Sequence, residues 1–328
     1  MGEKGTTDEK TRAIVIGALL RVDVGNPNAG WPEGTVTAIK KVDRPDRKAS
    51  HPYISGQAIR RYLRDTLGDM LSGDPVIREE MSPEEKSDDP KAPVVTVGDP
   101  EQYIDDDLFG FMKAVKGETK RRESPLRVSP AYGLFPYAGD RDLGTRSAVK
   151  FAEKAEAGGA IFETEITNNV FRTVLLLELD RVGRWKKYET VRDSEGELKQ
   201  DKRRGRASLL VRALKYLWGG GRRTRMLVDM TPQFVVCARL SKKVPIFLNA
   251  LSLRIEDGKY CLNSEVLSQV LRDYENDIQS LVLGTRRGFL DNEKEIGDLR
   301  LKGRQIAIMS VGDAIERMSD EILSANLP

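Results

Sequence analysis

The sequence predicts an α+β fold, because apolar segments rich in β-branched residues alternate with segments of helical period. The strongest strand signal is Phe162 to Leu179, and the clearest helix begins at Ser55. The chain has 328 residues, of which 39% are hydrophobic and 32% charged. It can therefore bury a substantial core beneath a large wetted surface, as one large domain with insertions or as two domains.

The predicted elements follow one another in a simple order. A strand from Arg12 to Val24 ends at a glycine- and asparagine-rich turn, and a short extended piece, Thr35 to Val42, leads to a helix from Ser55 to about Leu71. The later elements are extended segments at 127–137, 162–179, 226–241 and 244–255, and helices at 207–218, 266–283 and 311–323. Without its insertions this order is βαββαβ, the ferredoxin-like pattern shared with RNA-recognition modules.

Three stretches have the composition of surface insertions. Between Gly73 and Asp107 twelve acidic residues stand against three basic ones, with five prolines, and Lys113 to Arg127 then turns basic. Ala138 to Ala160 is glycine-rich and charged, as expected of an elaborated hairpin tip. A further hairpin is predicted around 193–196.

The helix at Ser55 carries a cationic face. Ser55 is a suitable N-cap, and at ~100° per residue one side of the helix is apolar. The other side carries Gln57, Arg60, Arg61 and Arg64. Since helix starts also favour anions, this is a candidate phosphate-binding helix. The alternative is an amphipathic surface helix whose arginines are solvated or paired with acids.

A second basic region lies between Arg181 and Arg225, where fifteen Lys or Arg face five Asp or Glu. We expect a basic surface there, although the net charge of the chain is only +3. The region ends in three glycines, Gly219 to Gly221, followed by Arg222 and Arg223. Such glycines let a backbone approach a ligand closely, or simply form a flexible turn after a helix.

Several classes of protein are disfavoured. No apolar run approaches 18 residues and residues 1–10 are polar, so we expect a cytoplasmic protein without a membrane span. Cys237 and Cys261 stand alone and indicate neither a zinc site nor any other cofactor. Both are expected to be reduced and packed in strands.

Short motifs in a matching order give the chain a family resemblance over roughly residues 12–256. They are the segment Ile54 to Arg64 preceded by Asn26-Pro27-Asn28, the segment 167–172, and the glycine-arginine loop that ends at 229–232. In these motifs the chain resembles the DevR branch of the CRISPR-associated backbone subunits. These are RAMP-superfamily subunits of type I interference (Cascade) complexes, with type I-B as the expected subtype.

The resemblance implies a hand-shaped protein. An RRM-like palm would comprise 1–72 and 126–328, a fingers insertion 73–125, and a thumb hairpin about 139–160, with 181–206 as an alternative thumb. Copies would polymerise head to tail along guide crRNA as a helical filament for antiviral defence. Each copy would grip the sugar-phosphate backbone and leave bases free to pair with target DNA. Further partners would be an end-capping RAMP subunit and the large and small subunits.

The same resemblance assigns contacts to the guide RNA and implies no catalytic role. The helix residues Ser55, Gln57, Arg60, Arg61 and Arg64 would contact its phosphates. Asn26 and Asn28 would line the same groove. The backbone-hugging loop would consist of Gly219, Gly220, Gly221, Arg222 and Arg223.

Two other functions stay open. One is a metal-dependent RNA endonuclease of the same superfamily, with Asp140 or Asp142 as the residue to compare with its catalytic aspartate; the other is a stand-alone RNA-binding regulator. His51, the only histidine, is a candidate general acid or base, but a turn histidine is the favoured interpretation. The acids 105–107 are interpreted as a solvated turn rather than a cation site.

Overall fold

The structure, a computed structural model, describes residues 11–46, 48–85, 95–115, 118–146, 160–220 and 226–328. It is a mixed α+β protein, which confirms the predicted class. Its helices are α1 (Gly56–Gly73), α2 (Ile104–Phe109), α3 (Gln200–Ala213), α4 (Ser264–Asp273), α5 (Glu293–Gly297) and α6 (Val311–Ser324). Two 3₁₀ turns lie at Lys187–Glu189 and Leu214–Tyr216.

The strands of the described chain form one large sheet and several small ones. In chain order they are β1 (Ala13–Gly25), β2 (Ala29–Glu33), β3 (Val36–Ile39), β4 (Lys41–Arg44), β5 (Ala49–Ile54), β6 (Glu84–Glu85), β7 (Val95–Thr96), β8 (Phe111–Val115), β9 (Glu118–Arg122), β10 (Leu126–Val128), β11 (Ala131–Gly133), β12 (Arg141–Arg146), β13 (Ala160–Glu165), β14 (Thr167–Glu178), β15 (Arg184–Trp185), β16 (Gly196–Glu197), β17 (Pro232–Leu240), β18 (Leu253–Glu256), β19 (Lys259–Leu262), β20 (Ile278–Thr285), β21 (Arg300–Leu301), β22 (Arg304–Gln305) and β23 (Ile308–Met309).

The large sheet has the order β23-β20-β17-β1-β14-β11-β5-β4, and β10 also pairs with β14. At its centre β17, β1, β14 and β11 are antiparallel neighbours. Helix α1 lies between β1 and β11 in the chain, and α3 lies between β14 and β17. The long pairing of β1 with β14, from Ala13↔Glu178 to Gly25↔Thr167, forms the middle of the sheet.

Both faces of this sheet are covered. Alternate residues of β1 point to opposite sides, and its even-numbered residues from Ile14 to Val22 pack with α1, α3 and α6 in one core. Val15 and Leu19 join a second core, which the segment 246–306 with α4 and α5 completes. The central strands therefore lie between two layers and leave no open sheet face there.

Helix α1 begins as predicted. Ser55 is the N-cap, and its Oγ accepts a hydrogen bond from the Ala58 backbone N–H at 3.3 Å. Ile59, Leu63 and Leu67 are fully buried, so the predicted apolar side faces the core.

The predicted strand 162–179 is two strands in different sheets. The chain leaves β13 at Ile166 and enters β14, because Glu165 is held away from the large sheet. Its carboxylate accepts hydrogen bonds from the Ile39 backbone N–H at 2.8 Å and from Lys41 Nζ at 2.7 and 2.8 Å. β13 thereby belongs to a four-stranded sheet in the order β12-β13-β3-β2.

Three further predictions were wrong in part. The predicted helix 266–283 stops at Asp273, and its second half is β20, which pairs with β17 because apolar residues such as Ile278 and Val282 also fit a buried strand. Helix α3 starts at Gln200 rather than Ala207. The segment 244–255 does not continue the sheet, since β18 pairs only with β19.

The second basic region lies partly at the surface, as expected, and partly in the interior. Its exposed bases in the described chain include Lys186, Lys187, Arg192 and Lys199. Arg203 and Arg206 are fully buried on α3. Arg206 Nη1 lies 3.0 Å from Asp107 Oδ2, and its Nε lies 3.0 Å from Glu79 Oε2. Arg122 Nη2, also buried, lies 2.5 Å from Asp107 Oδ1. We call Asp107, Arg122, Arg206 and Glu79 the buried charge cluster.

The acids 105–107 are likewise buried, so the prediction of a solvated turn was wrong. They lie on α2, where Asp105 binds Arg64 and Asp106 accepts hydrogen bonds from the Gly98 and Asp99 backbone N–H groups. Burial raises the pKa of Asp106. Helix α2 of the insertion 73–125 is therefore packed against α1 and α3 rather than exposed to solvent.

The predicted hairpins at 138–160 and 193–196 are present. β12 and β13 pair from Arg141↔Glu165 to Arg146↔Ala160, while residues 147–159 lie outside the described part of the chain. β15 pairs with β16 around the second turn. Cys237 and Cys261 are free, buried and in strands, as predicted, and burial raises the pKa of the Cys237 thiol to about 12. No helix in the described ranges is both long and apolar enough to cross a membrane.

The buried charge cluster predicts a large cost for losing one member. Arg206→Ala should lower the free energy of unfolding by about 3–5 kcal/mol, because Asp107 and Glu79 would keep their charges in a buried site without this partner. Urea denaturation measures the change. The control is Arg212→Ala on the same helix, whose side chain is 37% exposed and pairs with Glu316 outside the cluster; it should cost less than about 1 kcal/mol. Equal effects of the two substitutions would contradict the cluster's structural role.

Candidate nucleic-acid interface

Three sequence-distant segments meet at the start of α1. They are the turn Asn26 to Asn28, the helix start at Ser55, and the glycine pair Gly219 and Gly220. The structure thus brings these three predicted motifs together, within the residues that it describes. Gly221, Arg222 and Arg223 lie outside those ranges.

The turn is joined to the helix start by a side chain. Asn28 Oδ1 accepts a hydrogen bond from the Ser55 backbone N–H at 2.8 Å. Asn26 lies beneath the turn at 2% exposure, and its Nδ2 donates to the backbone oxygens of Ala38 at 3.4 Å and Glu165 at 3.0 Å. Asn28 thus borders the surface of the site, whereas Asn26 supports it from below.

Tyr62 connects the helix to both other segments. Its hydroxyl donates to the Pro27 backbone oxygen at 2.7 Å. A Cβ on Gly219 would lie 2.6 Å from the Tyr62 ring, and one on Gly220 would lie 3.3 Å from Pro27 Cα. Gly220 also has φ +107°, a conformation that favours glycine. These two glycines are required for close packing, which the sequence pattern did not reveal.

The arginines of α1 have partners within the chain. Arg64 Nη2 lies 2.8 Å from Asp105 Oδ2, and Arg60 donates to the Phe109 backbone oxygen. Arg61 forms an i,i+4 pair with Asp65 at 2.8 Å, but 59% of its side chain stays exposed. Burial, and to a smaller extent Arg127, lowers the pKa of Arg60. Arg61 and the exposed Gln57 are therefore the side chains of this face most open to a ligand.

The arrangement suits an anion rather than a base. The first turn of a helix leaves backbone N–H groups without intrahelical partners, and the helix dipole adds positive potential there. Here that turn is fixed by Asn28 and Ser55 and bordered by Gln57 and Arg61. These groups can bind phosphate without reading base edges.

A comparison with family models identifies the family of the chain. Residues 32–261 match the family model described as CRISPR-associated negative auto-regulator DevR/Csa2, over more than two thirds of the chain. The chain belongs to the DevR/Csa2 family. No curated protein matches its sequence significantly.

The fold of this DevR/Csa2-family chain also occurs in solved assemblies. A chain of a "CRISPR RNA-guided surveillance complex, pre-nicking" is similar with a TM-score of 0.59 and 14% identity, covering 94% of this chain and 100% of that one. A chain of another "CRISPR RNA-guided surveillance complex" has a TM-score of 0.53 and 14% identity, covering 94% and 99%. At this identity the similarity concerns the fold.

His51 precedes the N-cap Ser55 by four residues in the sequence. It is in strand β5 rather than a turn, which corrects the favoured interpretation, and it is fully buried. Its Nδ1 lies 2.7 Å from the Gly133 backbone oxygen, and its ring stacks on Tyr132 with centroids 5.1 Å apart. These contacts give it a packing role.

The carboxylates of the described residues form no candidate metal centre. Asp140 lies before β12, and Asp142 lies within it. Across the described residues, no group of three or more His, Cys, Asp or Glu side chains is placed to hold a metal ion.

The close approach of Gly219 to Tyr62 predicts a position-specific effect. Gly219→Ala should destabilise the protein by about 1–3 kcal/mol, because the added methyl group overlaps the aromatic ring. Thermal unfolding measures it. Gly205→Ala on α3 is the control, since a Cβ there meets open space and should stabilise the helix by about 0.5–1 kcal/mol. A neutral Gly219→Ala would contradict the packing described here.

Proposed function

We propose that this protein is a non-catalytic, guide-RNA-binding backbone subunit of a CRISPR surveillance (Cascade) complex. The observation that carries the proposal is the convergence of the helix start, the asparagine turn and the glycine pair in a member of the DevR/Csa2 family. The two solved assemblies of similar fold are themselves described as RNA-guided.

The strand order supports an RRM-like palm. The order β17-β1-β14-β11, with α1 and α3 as the crossing helices, is the 4-1-3-2 arrangement of a ferredoxin-like fold. In this proposal the insertion 73–125 forms the fingers. The thumb is the region of about 139–160, which contains strand β12, rather than 181–206, whose last seven residues belong to α3.

The buried sheet faces favour backbone recognition. An RNA-recognition module stacks bases on an open sheet face, but here both faces of the central strands are packed. The RNA would therefore run past the helix start and contact it through phosphates and sugar hydroxyls. A guide held in this way can have any sequence, and its bases stay free to pair with target DNA.

The proposed contacts combine surface groups and supports. Asn28, Ser55, Gln57 and Arg61 would face the RNA directly, together with the loop Gly221 to Arg223. Asn26, Arg60, Arg64, Gly219 and Gly220 would shape the groove, and Arg60 and Arg64 would reach a phosphate only by exchanging their present partners.

The proposed assembly follows from repeating one subunit along one RNA. Copies would bind head to tail in the cytoplasm, and heterologous contacts of this kind generate an open helical filament. An end-capping RAMP subunit and the large and small subunits would complete a type I complex, with I-B as the proposed subtype.

Guide binding should depend on Gln57 and Arg61 regardless of sequence. In the double variant Gln57→Ala, Arg61→Ala, affinity for unrelated single-stranded RNAs should fall by a similar factor, and the slope of log K against log salt should decrease by about 0.7. Fluorescence anisotropy over a salt series measures both quantities. Arg317→Ala on α6 is a matched control, because Arg317 also forms an exposed i,i+4 pair, with Glu321. A loss confined to certain sequences would contradict backbone recognition.

The proposal also predicts no intrinsic nuclease activity. Purified protein incubated with labelled RNA and Mg²⁺ or Mn²⁺ should leave the RNA intact. Metal-dependent cleavage that disappears in Asp140→Ala or Asp142→Ala would instead support an endonuclease.

A stand-alone RNA-binding regulator is the second candidate, because the family description names a negative auto-regulator. The two functions differ in particle size on a defined guide. A regulator would form a small complex of constant size, whereas a backbone subunit would form particles that lengthen with the RNA.

A further inference from the structure

A pocket of about 430 Å³ lies between the edge of the large sheet and the segment before β18. It lies near the helix start, because a Cβ on Gly56 would lie 3.6 Å from the backbone carbon of Ser129, which also lines the pocket. Its lining includes Val42, Tyr53, Pro130, Tyr132, Arg172 and Leu248.

The walls of the pocket are apolar and partly exposed. Val42 is 44% exposed and Leu248 39% exposed. The Tyr132 ring is fixed between His51, stacked at an interplanar angle of 16°, and the Arg172 guanidinium, 6.0 Å from the ring centroid. A fixed aromatic wall beside aliphatic side chains suits a planar apolar group.

One cation of the pocket lacks a counter-charge. Arg172 donates to the Leu251 backbone oxygen at 3.1 Å, and no carboxylate of the described chain is paired with it. Burial, followed by the nearby Arg44, lowers its pKa. Lys41, by contrast, is paired with Glu165. The pocket therefore favours an occupant that brings an anion next to its apolar group.

The β2–β3 hairpin of the same chain presents such a pair of groups. Trp31 is 90% exposed on β2, and Glu33, also exposed, lies two residues further on, at the turn. No ion-pair partner of Glu33 is found among the described residues. Tryptophan is enriched among the residues that dominate protein interfaces, and a neighbouring unpaired carboxylate adds a charge that a partner can satisfy.

We infer that the Trp31–Glu33 edge of one copy docks into this pocket of the next copy. The indole would pack against Tyr53, Tyr132 and Leu248, and the Glu33 carboxylate would pair with Arg172. The inference rests on the proposed filament, for which it names the protein contact. Because the two surfaces differ, the contact is heterologous and can repeat without closing.

Every copy of the chain carries both the Trp31–Glu33 edge and the pocket, which favours a second copy as the occupant. A nucleic acid could supply phosphate to Arg172 and stack a base on Trp31, but as a polyanion it would repel the exposed Glu33 carboxylate. The copy satisfies the cation, the carboxylate and both apolar surfaces at once.

The direct test joins the two surfaces covalently. The variant Thr35→Cys, Asn249→Cys keeps Trp31, Glu33 and Leu248 and places one exposed cysteine at each surface. It is co-expressed as the full chain with a CRISPR array and oxidised with copper-phenanthroline, which accepts the two electrons released as each disulfide forms. Cys237 and Cys261 are buried at 0% and 2% exposure, so they contribute little background. We expect a ladder of cross-linked multimers on a non-reducing gel. Each single-cysteine variant should stop at dimers or below.

A second variant separates this inference from the proposed function. Trp31→Ala should raise the protein concentration needed for half-maximal assembly on a defined guide by about tenfold or more, while Ile255→Ala, another exposed apolar residue, should leave it unchanged. Glu33→Arg should also weaken assembly, and Arg172→Glu in the same chain should restore it. If wild-type protein assembles but neither a ladder nor a Trp31 effect is seen, the contact is wrong and the filament stands. If wild-type protein does not assemble on RNA, the proposed function itself fails.

Discussion

The structure depends most on the pairing of Asp107 with Arg122 and Arg206 in the protein interior. Asp107 comes from α2 of the insertion, Arg122 from β9 and Arg206 from α3, and Asp107 also accepts hydrogen bonds from the Gly183 backbone N–H at 2.9 and 3.0 Å. Buried charges are tolerated only when their partners are held in place, so these pieces have one compatible arrangement. The insertion is consequently an integral part of the domain, although its composition resembles that of a surface loop.

The same insertion fixes the candidate interface. Asp105 and the Phe109 backbone oxygen bind Arg64 and Arg60, which orients α1. The helix then presents Ser55 to Asn28, and Tyr62 to Pro27 and Gly219. A chain of contacts thus runs from the acids of α2 to the N-terminal end of α1. Two of the three helix arginines that look like ligand contacts in the sequence therefore support the site, and Arg61 remains the most exposed.

The sequence was most informative where local signals and tertiary packing agree. The N-cap at Ser55, the strand 12–24, the helix 311–323 and the class of fold could be predicted because short-range capping and periodicity determine them. It was least informative where one pattern fits two structures. The spacing of the apolar residues from Ile278 to Leu283 fits a helix and a strand equally well. Only the pairing with β17 makes this segment a strand. Charge counts likewise cannot distinguish a solvated arginine from one buried against Asp107. The close packing of Gly219 against Tyr62 could not be predicted either, because these residues are far apart in the sequence.

The most direct test of the account is the size and RNA content of the protein purified after co-expression with a CRISPR array and its neighbouring subunits. Light scattering gives the particle mass, and sequencing identifies the bound RNA. A backbone subunit predicts large, uniform particles that carry repeat-spacer RNAs of one length and grow when the spacer is lengthened. A small RNA-free species, or one carrying mixed cellular RNA whose mass does not follow spacer length, would contradict it.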